Sequence, residues 1–117
     1  MSRTVVIVDD HASFRAVARR LLELEGFDVL GEAADGATGV DQVLRLQPEL
    51  VLLDVNLPDM DGFEVATRLT DAGSGAAIVL TSSRDRADFG PLVDGSPARG
   101  FVPKAELSGD ALLALIA

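Results

Sequence analysis

Five side chains in this sequence have types and positions that could serve one reaction. Asp9 and Asp10 follow the apolar run Val5 to Val8, Asp54 follows Leu50 to Leu53, Thr81 ends Ala77 to Thr81, and Lys104, the only lysine, comes just after Gly100 to Val102. Taken singly, each has a plain structural role, because an aspartate or threonine after a strand commonly caps a turn or the next helix. Brought to one place, three carboxylates repel one another and resist ionising unless a cation or the lysine offsets their charge. The chain has no cysteine and a single histidine, which excludes thiolate zinc sites, cysteine nucleophiles and multi-histidine clusters. A hard cation with oxygen ligands, Mg²⁺ or Mn²⁺, fits instead, held by one or two carboxylates with waters kept and a position left for a phosphate oxygen. Such an ion and Lys104 would neutralise charge on a transferring phosphoryl group while a carboxylate oxygen attacks phosphorus. Asp54 is the expected nucleophile.

The elements that must position these groups are legible as an alternation of short apolar runs with helical patterns. Strands are predicted at Thr4 to Val8, Phe27 to Gly31, Leu50 to Leu53, Ala77 to Thr81 and Gly100 to Val102. Several are continuous rather than alternating, as strands covered on both faces require, so the sheet should be parallel. A first helix places Phe14, Val17, Ala18, Leu21 and Leu22 on one face and Arg15, Arg19, Arg20 and Glu23 on the other, and stops at Gly26. A second should run from Ala37 to Gln47, burying Val40, Val43 and Leu44 before Pro48 ends it. The third should start after Gly62 with Asp61 as cap and finish before Gly73. Gly90 and Pro91 interrupt the fourth, which should be short or broken. Ser108 should cap a last helix through Ile116, whose Leu112, Leu113, Leu115 and Ile116 exceed what one core face needs. Five βα units with right-handed crossovers make a doubly wound α/β sheet, which binds ligands outside the carboxyl ends of its strands. All five reactive residues stand at such ends.

Composition narrows the function further. The 117 residues allow one domain, residues 1–117, and the 48% hydrophobic and 25% charged content is that of a chain that folds alone. A net charge of -9 opposes a phosphate backbone, so no direct nucleic-acid binding is expected. The first apolar stretch is too short for a signal segment or a membrane span, which gives a cytoplasmic protein with no membrane contact as the expectation.

The stretches Val5-Val6-Ile7-Val8-Asp9-Asp10-His11, Leu50-Val51-Leu52-Leu53-Asp54-Val55-Asn56-Leu57-Pro58-Asp59-Met60-Asp61-Gly62, Ile78-Val79-Leu80-Thr81-Ser82 and Gly100-Phe101-Val102-Pro103-Lys104 together resemble the receiver domain of two-component response regulators, of the chemotaxis-regulator type. The resemblance covers essentially the whole chain. It implies a five-stranded parallel sheet in the flavodoxin-like order 2-1-3-4-5 with helices on both faces. It also implies that Asp54 accepts a phosphoryl group from a sensor histidine kinase or histidine phosphotransfer protein. Asp10, Asp54 and the backbone carbonyl of Asn56 would ligate Mg²⁺, with Asp9 holding a metal-bound water. Thr81 and Lys104 would each contact a phosphoryl oxygen, Ser82 would be the small residue beside the phosphoryl group and help stabilise it, and Phe101 would be the aromatic switch that turns inward as Thr81 moves. The shifted surface of the fourth and fifth strand-helix units would then control a homodimer contact, a downstream protein or an attached output. By resemblance, Arg15, Arg19 and Arg20 flank the site where a kinase's helical bundle docks.

Two departures from the family pattern stand out: Ala105 rather than proline follows Lys104, and the fourth helix is interrupted. Such a domain is a switch rather than an enzyme, with weak self-phosphorylation from small donors and autodephosphorylation expected. A phosphatase of the haloacid dehalogenase type would need a second acid two residues after the nucleophile, where Asn56 stands. A calcium loop beginning at Asp54 fails at Pro58, Asp59 and Val65. A pseudo-receiver used only for protein contacts would be signalled by loss of an acid or the lysine, and all are present.

Overall fold

The computed structural model of the protein describes residues 3–116. Five strands, β1 (Thr4–Val8), β2 (Asp28–Ala33), β3 (Leu50–Asp54), β4 (Ala77–Ser82) and β5 (Gly100–Pro103), form one parallel sheet in the order β2-β1-β3-β4-β5. Between and after them come α1 (Ala12–Leu24), α2 (Gly36–Leu46), α3 (Gly62–Asp71), α4 (Pro91–Asp94) and α5 (Gly109–Ile116), with short 3-10 turns at Arg86–Asp88 and Lys104–Glu106.

The unbroken apolar runs are explained by a core on each face of the sheet, since neighbouring strand residues point opposite ways. Val6, Val8, Val51, Leu53, Ile78, Leu80 and Phe101 pack with Val43 of α2, Val65, Ala66 and Leu69 of α3 and Val93 of α4. Val5, Ile7, Leu50, Leu52, Val79 and Val102 pack with Ala18 and Leu22 of α1 and Leu112 of α5. Fully burying each such side chain is worth about 1.5–3 kcal/mol.

Helix boundaries follow their capping chemistry. The side chain of Asp35 accepts from Thr38 N at 2.7 Å and starts α2 at Gly36, one residue before the predicted start. Gln47, in the left-handed region at φ 51°, ends it. Asp61 accepts from Glu64 N at 2.8 Å at the head of α3, and Ser108 Oγ accepts from Ala111 N at 3.0 Å at the head of α5, both as predicted. α4 is a single turn that opens on Pro91 after Gly90, which sits at φ 51°.

Three predictions are corrected. β2 runs to Ala33, which pairs opposite Val8, because a register irregularity at Val5/Val6 lets this edge strand continue through Gly31. A Cβ at Gly31 would meet Gln42 Oε1 at 2.5 Å, so that glycine makes room for α2 and does not end the strand. Phe27 precedes β2 as a core residue. Val17 and Leu44 are 63% and 39% exposed. Both lie at the margins of their apolar stripes.

Candidate functional site

Strands β3, β4 and β5 each end one residue later than the apolar runs alone indicate, so Asp54, Ser82 and Pro103 are the last residues of their strands. Asp54 pairs in register with Thr81, and Thr81 with Val102. Asp9 extends β1 by donating its N–H to Ala33 O at 2.9 Å. The carboxyl ends of β1, β3, β4 and β5 thereby meet on one rim.

Asp9 and Asp54 are buried there, while Asp10 is exposed. Lys104 Nζ lies 2.7 Å from Asp9 Oδ2 and 3.6 Å from Asp54 Oδ2, and its ammonium sits 4.4 Å from the centre of the Phe14 ring. The Asp9 contact is an ion pair without hydrogen-bond geometry, and among the described residues Asp9 Oδ2 makes no hydrogen bond. Asp54 Oδ1 accepts from Asn56 N at 3.2 Å. Burial pushes the Asp54 carboxyl up to about 6, helped by the charges of Asp9 and Asp10 and opposed by the Asn56 N–H and Lys104. A group in that position gains strongly from a cation.

The loop after β3 is held shut. Gly62 N donates to Val55 O at 2.7 Å, and Asn56 and Asp61 form an antiparallel bridge. Gly62 is the one residue that fits, because a Cβ there would stand 2.5 Å from the Asp54 carbonyl oxygen. Asp59 in the same loop accepts from Gly36 N at 2.7 Å and Ala37 N at 2.9 Å, and these bonds hold its carboxyl below the usual range. The loop after β3 is thus tied to the start of α2.

Thr81 is fully buried and its Oγ1 donates to Val102 O at 2.7 Å. Ser82 Oγ accepts from Arg84 N at 3.1 Å. Phe101 is buried with its ring 5.5 Å from that of Phe89, which in turn lies 6.1 Å from Phe63. Phe101 is held in the core while the Thr81 hydroxyl is turned to β5.

Asp9, Asp10, Asp54, Thr81, Ser82 and Lys104 lie at this rim with Phe101 packed beneath it, and His11, Arg15, Arg19 and Glu32 adjoin them. His11 Nδ1 lies 3.1 Å from Asp9 Oδ1 and 3.1 Å from Asp10 Oδ1. Arg15, expected on a solvated docking face, donates instead to Asp9 O at 2.6 Å and to Glu32 Oε1 at 3.2 Å, and Arg19 reaches Glu32 Oε2 at 2.6 Å. Glu32 carried no signal in the sequence, since β2 brings it beside α1 from 17 residues away. Among the described residues, ligand atoms of Asp9, Asp10, His11 and Asp54 lie within 4.8 Å of one another. This mostly oxygen donor set, in which the buried Asp9 Oδ2 is offset by Lys104 alone, fits a divalent cation.

Comparison with known proteins agrees with this geometry. The response regulator receiver domain model matches residues 5–117. The nitrate/nitrite response regulator NarP of Escherichia coli is 39% identical over 102 residues, 86% of this chain and 47% of that protein. The DNA-binding transcriptional activator EvgA of Escherichia coli is 31% identical over 101 residues, 86% of this chain and 50% of that protein. The chain spans about half the length of these curated relatives. Among solved structures, a LuxR-family two-component response regulator from Aurantimonas superposes with a TM-score of 0.89 at 27% identity, covering 99% of this chain and 86% of that one.

Proposed function

Because the chain belongs to the response regulator receiver domain family, we propose that its phosphorylation-dependent switching rests on Asp54 as the phosphoryl acceptor. The observation that carries this reading is a buried carboxylate at a strand end, raised to about 6 and faced by Asp9, Asp10 and Lys104. An Asp54 oxygen attacks the phosphorus of a phosphohistidine on a sensor kinase or phosphotransfer protein. The P–N bond breaks, the imidazole leaves with the electron pair, and an acyl phosphate remains on Asp54.

Asp10, Asp54 and the Asn56 carbonyl would hold Mg²⁺ or Mn²⁺, with Asp9 acting through a water, and the ion would supply charge neutralisation for the phosphoryl oxygens. Lys104 holds one such oxygen. Thr81 gives up its bond to Val102 O to hold another, and Ser82 lines the same pocket. Phosphorylation brings about -1.5 to -2 charges into a rim already rich in carboxylates, so these donors must reorganise around it. The path outward runs from Thr81 through Val102 to Phe101 and Phe89, and so to the β4-α4-β5-α5 surface.

Small phosphodonors should load Asp54 weakly, and the acyl phosphate should hydrolyse on the domain itself. The output is a homodimer contact, a downstream protein or an attached effector, and a transcriptional effector would accord with the named activities of NarP and EvgA. No described helix is long and apolar enough to cross a membrane, and we place the domain in the cytoplasm with its kinase. A haloacid dehalogenase-type reaction finds an amide, Asn56, where its acid would stand, and a pseudo-receiver would have no use for this acid and lysine cluster.

The test is intact mass after incubation with acetyl phosphate, with Mg²⁺ or EDTA. One phosphoryl increment that requires both Mg²⁺ and Asp54 is expected, and Asp54→Ala should show none. An increment that survives Asp54→Ala would move the acceptor elsewhere.

A further inference from the structure

We propose that His11 is a nitrogen ligand of the cation site, which gives the acid cluster a second specificity for later transition metals beside Mg²⁺; the inference rests on the cation reading above. The imidazole faces the carboxylates. His11 N donates to Asp9 Oδ1 at 2.8 Å, and Nδ1 lies 3.1 Å from both Asp9 Oδ1 and Asp10 Oδ1 and 4.0 Å from Asp54 Oδ2. One ligand atom from each of the four residues falls within 4.8 Å of the others. Donors bound to one ion at about 2.1 Å are at most about 4.2 Å apart, so a contraction of about half an ångström brings the set together.

A second observation points to a cation independently of the acid count. Asp9 is fully buried and its Oδ2 makes no hydrogen bond, so a charged oxygen is aimed into the site with only the Lys104 ion pair to offset it. His11 itself is 62% exposed at its side chain, so the ring can turn in or out without disturbing the core.

Ligand chemistry then separates two classes of ion. Mg²⁺ prefers oxygen and keeps its waters, and gains little from imidazole. Co²⁺, Ni²⁺ and Zn²⁺ take imidazole readily and bind nitrogen-containing sites more tightly than Mn²⁺ does. The same rim therefore takes Mg²⁺ through its oxygen ligands alone and the later metals through those oxygens plus His11.

The test is titration of the tag-free chain with Mg²⁺ and with Co²⁺ by calorimetry, together with the visible absorption of bound Co²⁺. It compares wild type with His11→Ala, His11→Gln and Asp10→Asn. Wild type should bind both ions. The two His11 variants should lose at least about tenfold in Co²⁺ affinity and show an altered Co²⁺ band, with Mg²⁺ affinity held within about twofold. Asp10→Asn should weaken both. Unchanged Co²⁺ binding in the His11 variants, or equal loss of both ions, overturns the inference while the cation reading stands. Wild type that binds neither ion overturns both.

Discussion

The ammonium of Lys104 sits 2.7 Å from Asp9 Oδ2, closer than its 3.6 Å approach to Asp54. The lysine is therefore the resident counter-ion of a buried acid that shares the rim with Asp54, and under the proposed acceptor role of Asp54 it would have to loosen from Asp9 to serve a phosphoryl oxygen there.

Removing that counter-ion leaves two buried carboxylates uncompensated. Lys104→Met should lower stability at pH 7.5 by about 1–3 kcal/mol, less than a fully buried pair because the lysine side chain is 16% exposed. Urea denaturation followed by far-ultraviolet circular dichroism reads this, since the chain has no Trp or Tyr. Asp9→Asn in the same background should recover part of the loss. A double variant no more stable than Lys104→Met would show that the pair is not what the lysine supports.

The raised Asp54 carboxyl sets a pH dependence of known sign. Its folded value of about 6 exceeds the ordinary 3.8, so between those values the folded state binds more protons than the unfolded chain. Stability from this group falls as pH rises through that window and is flat above it. In EDTA at pH 7.5, Asp54→Asn should exceed wild type by up to about 3 kcal/mol, and the gap should close below pH 4. Added Mg²⁺ should stabilise wild type and not the variant. Equal urea midpoints at pH 7.5 would contradict the charge crowding described above.

Asp59 works in the opposite sense. Its carboxyl is held below 3.8 by the Gly36 and Ala37 N–H groups, so its contribution is present above that value and lost as pH falls through the lowered one. Asp59→Ala should release the head of α2 from the acceptor loop. Hydrogen exchange at the Gly36 and Ala37 amides should quicken in Asp59→Ala and less so in Asp59→Asn. Unchanged protection at both amides would mean that the clamp does not hold in solution.

The rim was legible in the sequence because its residues interrupt apolar runs. A charged group after Val8 or Leu53 must mark the end of a buried strand, and a doubly wound sheet brings such ends together. Lys104 stood out as the sole lysine. What stayed hidden depends on pairing across the sheet edge. The Arg15–Glu32 contact and the length of β2 both turn on a register irregularity with no local signature. The exposure of Val17 and Leu44 depends on how wide a stripe each helix buries, which periodicity does not specify. His11 lay beside the acid pair in plain view, but only its ring orientation makes it a ligand.

Gly62 is a sharper test of the loop than any charge. A Cβ there would meet the Asp54 carbonyl oxygen at 2.5 Å, so Gly62→Ala should cost about 2–4 kcal/mol and displace the acceptor. Gly75→Ala, whose Cβ would meet nothing within 4 Å, should stay within about 0.5 kcal/mol of wild type. Matching losses in the two variants would remove the steric account.

The coupling from Thr81 to Phe101 can be read directly, because the chain has only five phenylalanines and no tyrosine or tryptophan. With fluorinated phenylalanine incorporated, ¹⁹F NMR should show shifts at Phe101 and Phe89 when wild type is phosphorylated, since the Phe101 ring lies tilted against that of Phe89 at 5.5 Å and the Thr81 hydroxyl holds the neighbouring Val102 carbonyl. Thr81→Ala removes that hydroxyl at a cost of about 1 kcal/mol. It leaves Asp54 and Lys104 in place, so the variant should still accept a phosphoryl group by intact mass. Its Phe101 and Phe89 signals should then stay where they were. Shifts of wild-type size in phosphorylated Thr81→Ala would mean that the signal leaves the rim by another route, with the loop after β3 and its Asp59 tie to α2 the next path to probe.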